Sequence, residues 1–306
     1  MNRSPDVLVI GAGAAGLSAA LWARSLDLSV RVLEGAPMAG GQLHAIHFHP
    51  DNLAGYATGD GPALAATFGT QLEESGAELH LDTLAVSLES DGLPAVVRTS
   101  AGATHEAGAV VIATGVRRRR LGVPGERELE GRGVSYSATR DRDAFAGCPV
   151  VVAGGGDAAY ENALLLAEVE CRVTLVVRDM PRARAEFRSR VANDRRISVR
   201  PGTRVTAVVG RERLEAVRLE GPDGARDEPF DGIVIKVGML PNTEWCAAAV
   251  ALDGEGYVVV DDRQRTSRTR TWAAGDVARP ARPGLAFALG QGAAAAAEIR
   301  RELRGD

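Results

Sequence analysis

The chain has 306 residues, 45% hydrophobic and 25% charged, with a net charge of −4, the balance of a soluble globular protein long enough for two domains of ordinary size. That charge, with no basic stripe interleaved with aromatics, argues against nucleic-acid binding, and no run reaches the roughly eighteen apolar residues that span a bilayer. Cys148, Cys171 and Cys246 are widely spaced with no C-x-x-C, which argues against a disulfide framework and a zinc site, and a cytoplasmic location is expected.

Residues 7–10 form an apolar run of the length of a buried parallel strand. Gly11, Gly13 and Gly16 follow in the G-x-G-x-x-G spacing, with Ala14 and Ala15 between them, and open a helix beginning LSAALWARSL. The first glycine makes the tight turn, the second admits a pyrophosphate, the third lets helix and strand pack, and the free N–H groups at the helix start face the phosphates. Glu34 ends the next strand about twenty residues on, where an acid accepts hydrogen bonds from a ribose hydroxyl pair. Strand, helix, strand and acid in this order predict a dinucleotide site.

After Glu34 comes a Gly40-Gly41 loop, then a segment with His44, His47 and His49. Read as extended, it points His47 and His49 to one face and His44 to the other, so the three line a pocket or the surface and no metal is expected. GPALAATFGTQLEESG reads as an amphipathic helix, and AELHLDTLAVSLES with PAVVRTS as alternating strands. AGAVVIATG returns an apolar strand ending in Ala113, Thr114 and Gly115, which closes a layered α/β domain. A second dinucleotide unit follows in PVVVAGGGDAAYENALLLAEV, with Gly154, Gly156 and Ala159 in the G-x-G-x-x-A form and Asp157 and Ala158 opening the helix. Two such units imply two dinucleotides. The next strand ends in Val177-Arg178-Asp179 rather than in an acid alone, with Arg182 and Arg184 close behind; a solvated arginine-rich helix start is the other reading of this stretch.

Gly40-Gly41-Gln42-Leu43, the ATG at 113–115 with Arg119 just beyond, and VPGERELEGRGVSYSATRD at 123–141 resemble the low-molecular-weight thioredoxin reductases in order and wording, and the resemblance runs to the C-terminus. It implies two Rossmann-like domains, the NAD(P) domain inserted into the FAD domain: 1–116 and 244–306 for FAD, 117–243 for NAD(P), with the arginine run 117–120 as the outgoing crossover and Pro241-Asn242-Thr243 as the return. FAD is then the first cofactor, held by the first glycine turn, Glu34, Gly41, Gln42, Leu43, Asn52, Ala113, Thr114, Gly115 and the Gly275-Asp276 pair, whose aspartate binds the ribityl chain in the family. NADPH is the second, with NADH possible. The family holds the 2′-phosphate with a His-Arg-Arg run and a later arginine; here Arg178 matches the first arginine, Asp179 replaces the second, and Arg182 or Arg184 stands for the later one. A small-residue helix from about Gly290 closes the chain, its N-terminus expected at the flavin pyrimidine edge, although Pro283-Gly284-Leu285 replaces the family's Arg-Gln-Ala before it. The family also implies a homodimer.

One feature of the family is missing. Its redox-active Cys-Ala-Thr-Cys is here Ser137-Ala138-Thr139-Arg140, and neither serine nor arginine can form a disulfide. Asp141 stands where the family keeps the acid that protonates the departing thiolate. Arg140 either stabilises reduced flavin or an anionic acceptor, or pairs with Asp141 or Asp143. Each cysteine reads as a small core residue. The leading expectation is an FAD-dependent NAD(P)H oxidoreductase that passes electrons directly to a small-molecule or redox-protein acceptor, as thioredoxin-reductase-type ferredoxin-NADP reductases do, although those usually carry a C-terminal extension over the flavin and this chain stops at Asp306. A disulfide reductase using another cysteine and a non-catalytic flavin-binding regulator are the alternatives.

Overall fold

The computed structural model describes residues 4–89, 92–280 and 283–305. The chain forms two compact units, one of Met1–Arg117 with Leu240–Asp306 and one of Arg118–Met239. In the first, β1 (Val7–Ile10) leads through α1 (Ala14–Ser25) to β2 (Val30–Leu33), α2 (Gly61–Glu74) and β3 (Glu78–His80); β4 (Ala85–Leu88), β5 (Ala95–Thr99) and β6 (Thr104–Ala107) then precede β7 (Ala109–Ile112). β8 (Val116–Arg118) carries the chain out of this unit. The second unit holds β9 (Val134–Ser135), α3 (Ala138–Asp141), β10 (Pro149–Ala153), α4 (Asp157–Glu168), β11 (Arg172–Val177), α5 (Ala185–Ala192), β12 (Ile197–Pro201), β13 (Arg204–Gly210), β14 (Leu214–Gly221), β15 (Gly224–Pro229) and β16 (Gly232–Ile235). β17 (Met239–Pro241) runs back beside β8, and β18 (Thr271–Ala273) and α6 (Leu285–Arg304) complete the first unit.

Each unit is built on a five-stranded parallel sheet, in the order β18-β7-β1-β2-β3 in the first and β12-β11-β10-β16-β9 in the second. β1, β2, β7 and β16 are buried at every position, which is why β1, β7 and β16 read as unbroken apolar runs, while β2 carries one buried charge, Arg31, paired with Glu78. In each sheet the order reverses at the strand that precedes the glycine turn, so β1 lies between β7 and β2, and β10 between β16 and β11. This is the fold of paired Rossmann-like units that the two fingerprints called for. Each unit adds a three-stranded antiparallel sheet, β4-β5-β6 and β13-β14-β15. The polar strand β6, Thr-His-Glu-Ala, carries no alternating apolar pattern because it is an outer strand of its sheet and exposes most of its side chains.

Two boundaries differ from the sequence reading. The second unit ends at Met239 rather than at 243, because Asn242 is bonded into the first unit: its N–H donates to Gly115 O (3.1 Å), its Nδ2 to Thr114 O (2.8 Å), and Thr114 Oγ1 donates back to Asn242 O (2.7 Å). The last helix begins at Leu285 rather than near Gly290, so Gly290 and Gly292 lie within it. Gly292 is there because α6 crosses α1 with backbones in contact. A Cβ on it would overlap Ala15 O and lie 2.9 Å from Ala19 N, and Ser18 Oγ donates to Leu289 O at 2.7 Å along the same seam. Leu17, Ala20, Trp272, Ala295 and Ile299 form the buried core around it.

Gly292→Val is accordingly expected to destabilise the first unit by about 2 kcal/mol or more, since overpacking of this kind costs about 1–3 kcal/mol even where neighbours can shift and here the obstacle is backbone. Thermal unfolding of the variant beside Gly290→Ala, whose Cβ meets nothing within 4 Å, reads this out; equal midpoints would refute the close crossing.

Candidate functional site

At the first switch point Gly11 adopts φ +102°, and a Cβ on it would lie 2.5 Å from Ala113 O, at the end of the neighbouring β7. Gly16 is equally constrained, since a Cβ there would overlap Gly11 O. Gly13 differs: its backbone is extended (φ −76°, ψ −176°) and nothing stands within 4 Å of a Cβ. The turn's outer glycines are therefore demanded by the protein, while the middle one leaves a concavity at the N-terminus of α1, where Ala14 and Ala15 begin the helix. That is the shape a pyrophosphate fills.

The other proposed contacts of this unit gather at the same helix start. Gly40 N donates to Ala12 O at 2.7 Å, and Gly41, at φ +53°, lies against Gly13, so the loop carrying Gln42 and the buried Leu43 rests on the turn. Gly275, at φ +80°, presses on Ala15, whose Cβ would stand 2.8 Å from its own. Asp276 follows, half-buried, with Gln42 Nε2 donating to it at 3.3 Å; burial pushes its carboxyl above the usual range and the Gln42 bond only partly opposes this. A carboxylate so placed gains from a hydroxyl donor, which a ribityl chain supplies. Glu34 holds Ala12 N–H at 2.7 Å and Ala36 N–H at 2.9 Å, so it fixes the turn and keeps lone pairs for further donors. These groups fit FAD. Asn52 lies exposed in an irregular loop, and His44 sits in a 3-10 turn, Gly41–Ala45, rather than in an extended segment, its Nε2 2.8 Å from Ala39 O. Among the described residues no group of His, Cys, Asp and Glu is arranged to hold a metal.

The second switch point repeats the first. Gly154 (φ +148°) packs against Lys236 O at the end of β16, and Gly156 is extended (φ −98°, ψ 179°) with nothing within 4 Å of a Cβ, at the start of α4 where Asp157 and Ala158 lie. The loop after β11 folds back over this turn: Arg182 N and Ala183 N both donate to Gly155 O, at 2.7 and 3.0 Å. Of the three arginines, Arg184 is bonded to Asp157 through its backbone and Nε (both 2.7 Å), and Arg178 forms an exposed pair with Asp179 at 2.9 Å. Arg182 has no ion pair among the described residues and is the freest to take a phosphate. The family resemblance puts Arg178 first; only the folded loop shows that its neighbour Asp179 already engages it.

At the carboxyl end of β9, Ser137 stands at the N-cap position of α3 without a side-chain capping bond. Arg140 makes a bidentate pair with Asp141 (Nε–Oδ1 2.6 Å, Nη2–Oδ2 2.8 Å), and Ser135 Oγ donates to Asp141 Oδ2 at 2.6 Å. Burial alone would raise the Asp141 pKa, but the bonds from Arg140 and Ser135 outweigh it and hold the carboxyl below its usual range. Asp141 is thus an ionised partner of Arg140, not a proton donor near neutral pH. Asn162 on α4, buried, accepts from Ala138 N at 2.8 Å and donates to Ala158 O, tying α3 to α4; no sequence pattern marked it. The thiols lie elsewhere. Cys148 and Cys171 immediately precede β10 and β11, at the amino ends of parallel strands whose carboxyl ends carry the glycine turn. Cys171 is fully buried, its thiol donating to Phe145 O, and burial raises its pKa; Cys246, in the first unit, is pushed up to about 12 by burial.

Residues 5–297 match the family model described as pyridine nucleotide-disulphide oxidoreductase. A thioredoxin reductase of Streptomyces clavuligerus is 37% identical, over 99% of this chain and 95% of its own length. Among solved structures, the thioredoxin reductase of Lactococcus lactis in its FR conformation superposes with a TM-score of 0.81 at 30% identity, covering 97% of this chain and 98% of that one, and that of T. acidophilum with 0.80 at 31%, covering 99% of both.

Gly13→Val separates ligand binding from folding. Its φ suits a β-branched residue and its Cβ meets no protein atom, so thermal stability should change by less than about 1 kcal/mol while FAD retention is lost. Flavin absorbance and unfolding midpoint, measured on the same preparation, check both halves. A yellow, stable Gly13→Val protein would refute the cradle.

Proposed function

Because the chain belongs to the pyridine nucleotide-disulphide oxidoreductase family, we propose that it takes electrons from NAD(P)H and delivers them through FAD directly to an external acceptor, with no thiol pair in between. In this reading the first unit holds FAD with Gly11, Gly13, Gly16, Glu34, Gly41, Gln42, Leu43, Ala113, Thr114, Gly115, Gly275 and Asp276. The second holds the pyridine nucleotide with Gly154, Gly156, Asp157 and Ala158, and a 2′-phosphate with Arg182 and Arg178. Bound FAD supplies the two-electron carrier. The acceptor is a small molecule or a redox protein, the location cytoplasmic and the assembly a homodimer.

The observation that carries this reading is the state of the thiols and of the segment that replaces the family's cysteine pair. Ser137 and Arg140 cannot shuttle electrons, and Arg140 is engaged with Asp141 instead. Cys148 and Cys171 precede their strands on the amino side of the sheet, away from the glycine turn, and the two buried cysteines, Cys171 and Cys246, are held as neutral thiols. What Asp141 and Arg140 do is fix charge. The pair is neutral overall and keeps a carboxylate from accepting or releasing protons while the acceptor is reduced.

Anaerobic dithionite titration is expected to end at two electrons per FAD, and to end there also when Cys148, Cys171 and Cys246 are all serine. Uptake of four electrons, with the extra two lost in the cysteine-free protein, would establish the disulfide-reductase alternative. Stopped-flow reduction by NADPH and NADH excludes a non-catalytic flavoprotein if either reduces the flavin. NADPH should be the faster donor. Arg182→Ala is expected to weaken NADPH binding about tenfold or more, Arg178→Ala less because Asp179 already pairs it, and both should leave NADH within about twofold, since a charge-assisted phosphate contact is worth about 1.5–3 kcal/mol. Equal loss for both nucleotides would take the arginines off the 2′-phosphate.

A further inference from the structure

The two switch points differ in one side chain. In the first unit Ala113 donates its N–H to Ile10 O at 2.8 Å and lays its carbonyl against Gly11; in the second Lys236 donates to Ala153 O at 2.8 Å and lays its carbonyl against Gly154. The position that holds a buried alanine in one unit thus holds a half-buried lysine in the other, and it is the only lysine in a chain whose other basic side chains, histidines apart, are all arginine. No carboxylate lies within ion-pair distance of its ammonium among the described residues. Arg118, on the crossover strand, is beside it: Arg119 N donates to Gly238 O at 2.9 Å, two residues after Lys236. The Arg118 guanidinium also lacks an ion pair among the described residues and rests 5.9 Å from the centroid of the Tyr136 ring. β16 and β9 pair as Val234 with Ser135, so two residues further on both strands run out, at Lys236 and Ser137, on the edge that carries Arg140 and Asp141.

Two neighbouring cations with no carboxylate in ion-pair contact among the described residues repel each other, and partial burial adds to the cost. Burial and Arg118 together pull the Lys236 amine down to about 8, and burial and Arg140 lower the pKa of Arg118 although Asp141, Glu130 and Tyr136 partly oppose them. The charged groups facing Lys236 are Arg118 from β8 and Glu161 from α4. A lysine can shed part of its charge in the empty state, whereas an arginine cannot, which accounts for the one lysine at this position. An anion arriving there would relieve the repulsion.

We propose that Lys236 and Arg118 form a two-cation anion site at the carboxyl ends of β16 and β8, for a phosphate, carboxylate or sulfonate. The anion comes either from the pyrophosphate of the pyridine nucleotide or from an acidic group on the electron acceptor. The acceptor case rests on the function proposed above; the nucleotide case does not.

The FAD-loaded protein, Lys236→Met, Lys236→Arg and Arg118→Gln are compared in two arms. Calorimetry gives the affinities for NAD+ and NADP+. Reoxidation of the dithionite-reduced protein by a sulfonated and a neutral naphthoquinone gives the acceptor preference. If the anion is the pyrophosphate, Lys236→Met and Arg118→Gln weaken NAD+ and NADP+ alike, by about tenfold. If it belongs to the acceptor, nucleotide affinities hold and the preference for the sulfonated quinone falls by about tenfold. In either case Lys236→Arg retains binding. The wild-type affinity is also flat below pH 8, where the amine is already protonated, and falls above it, where the anion must draw a proton; Lys236→Arg stays flat throughout. Should neither quinone oxidise the wild-type protein, the direct-transfer function fails while the nucleotide arm still decides the site. Nucleotide affinities and quinone preference within twofold of wild type in both Lys236→Met and Arg118→Gln would overturn the proposal.

Discussion

Everything in this protein that can hold a dinucleotide depends on two places where backbone runs against backbone with no room for a side chain. At Gly11 the obstacle is Ala113 O, and at Gly154 it is Lys236 O. Each contact joins the end of one parallel strand to the start of a helix at the point where the sheet order reverses, and so sets where the helix N-terminus opens. The middle glycines, Gly13 and Gly156, then face open space. A concavity at a helix start is the electrostatic complement of a phosphate, and the chain builds it twice.

The rest of the first unit serves the same turn from outside. Glu34 binds the N–H groups of Ala12 and Ala36, the loop at Gly41 lies on Gly13, Gly275 presses on Ala15, and α6 packs on α1 through Gly292. Small residues recur at these contacts because each brings two backbones together, and a larger side chain at any of them would displace the wall of the site rather than merely crowd the core. The crossover strands are locked by reciprocal bonds between Thr114 and Asn242, which fix where the chain leaves the unit and where it returns.

In the second unit charge as well as shape marks the carboxyl edge of the sheet. Arg140 and Asp141 neutralise each other, while Arg118 and Lys236 nearby make no ion pair among the described residues.

The sequence by itself determined the two sheets, the two turns, the order of the chain through them and the family, because glycine spacing and unbroken apolar runs are local signals of backbone geometry and burial. It also showed Ser137 and Arg140 and a chain with no C-x-x-C, which is a matter of residue identity. What it did not determine depends on partners far along the chain. The strand β6 reads as polar because it lies at the outside of its sheet. The start of α6 was misplaced because Gly290 and Gly292 look like a helix break until α1 is seen beside them. His44 was read as extended, whereas it sits in a 3-10 turn. Arg178, Arg182 and Arg184 are alike in sequence, and only the fold, by giving Asp179 to the first and Asp157 to the third, leaves Arg182 free. Lys236 carried a signal, being the single lysine, but its meaning waited on the tertiary structure, since only the pairing of β16 with β10 and β9 brings it to the glycine turn and to Ser137, and the crossover brings Arg118 beside it.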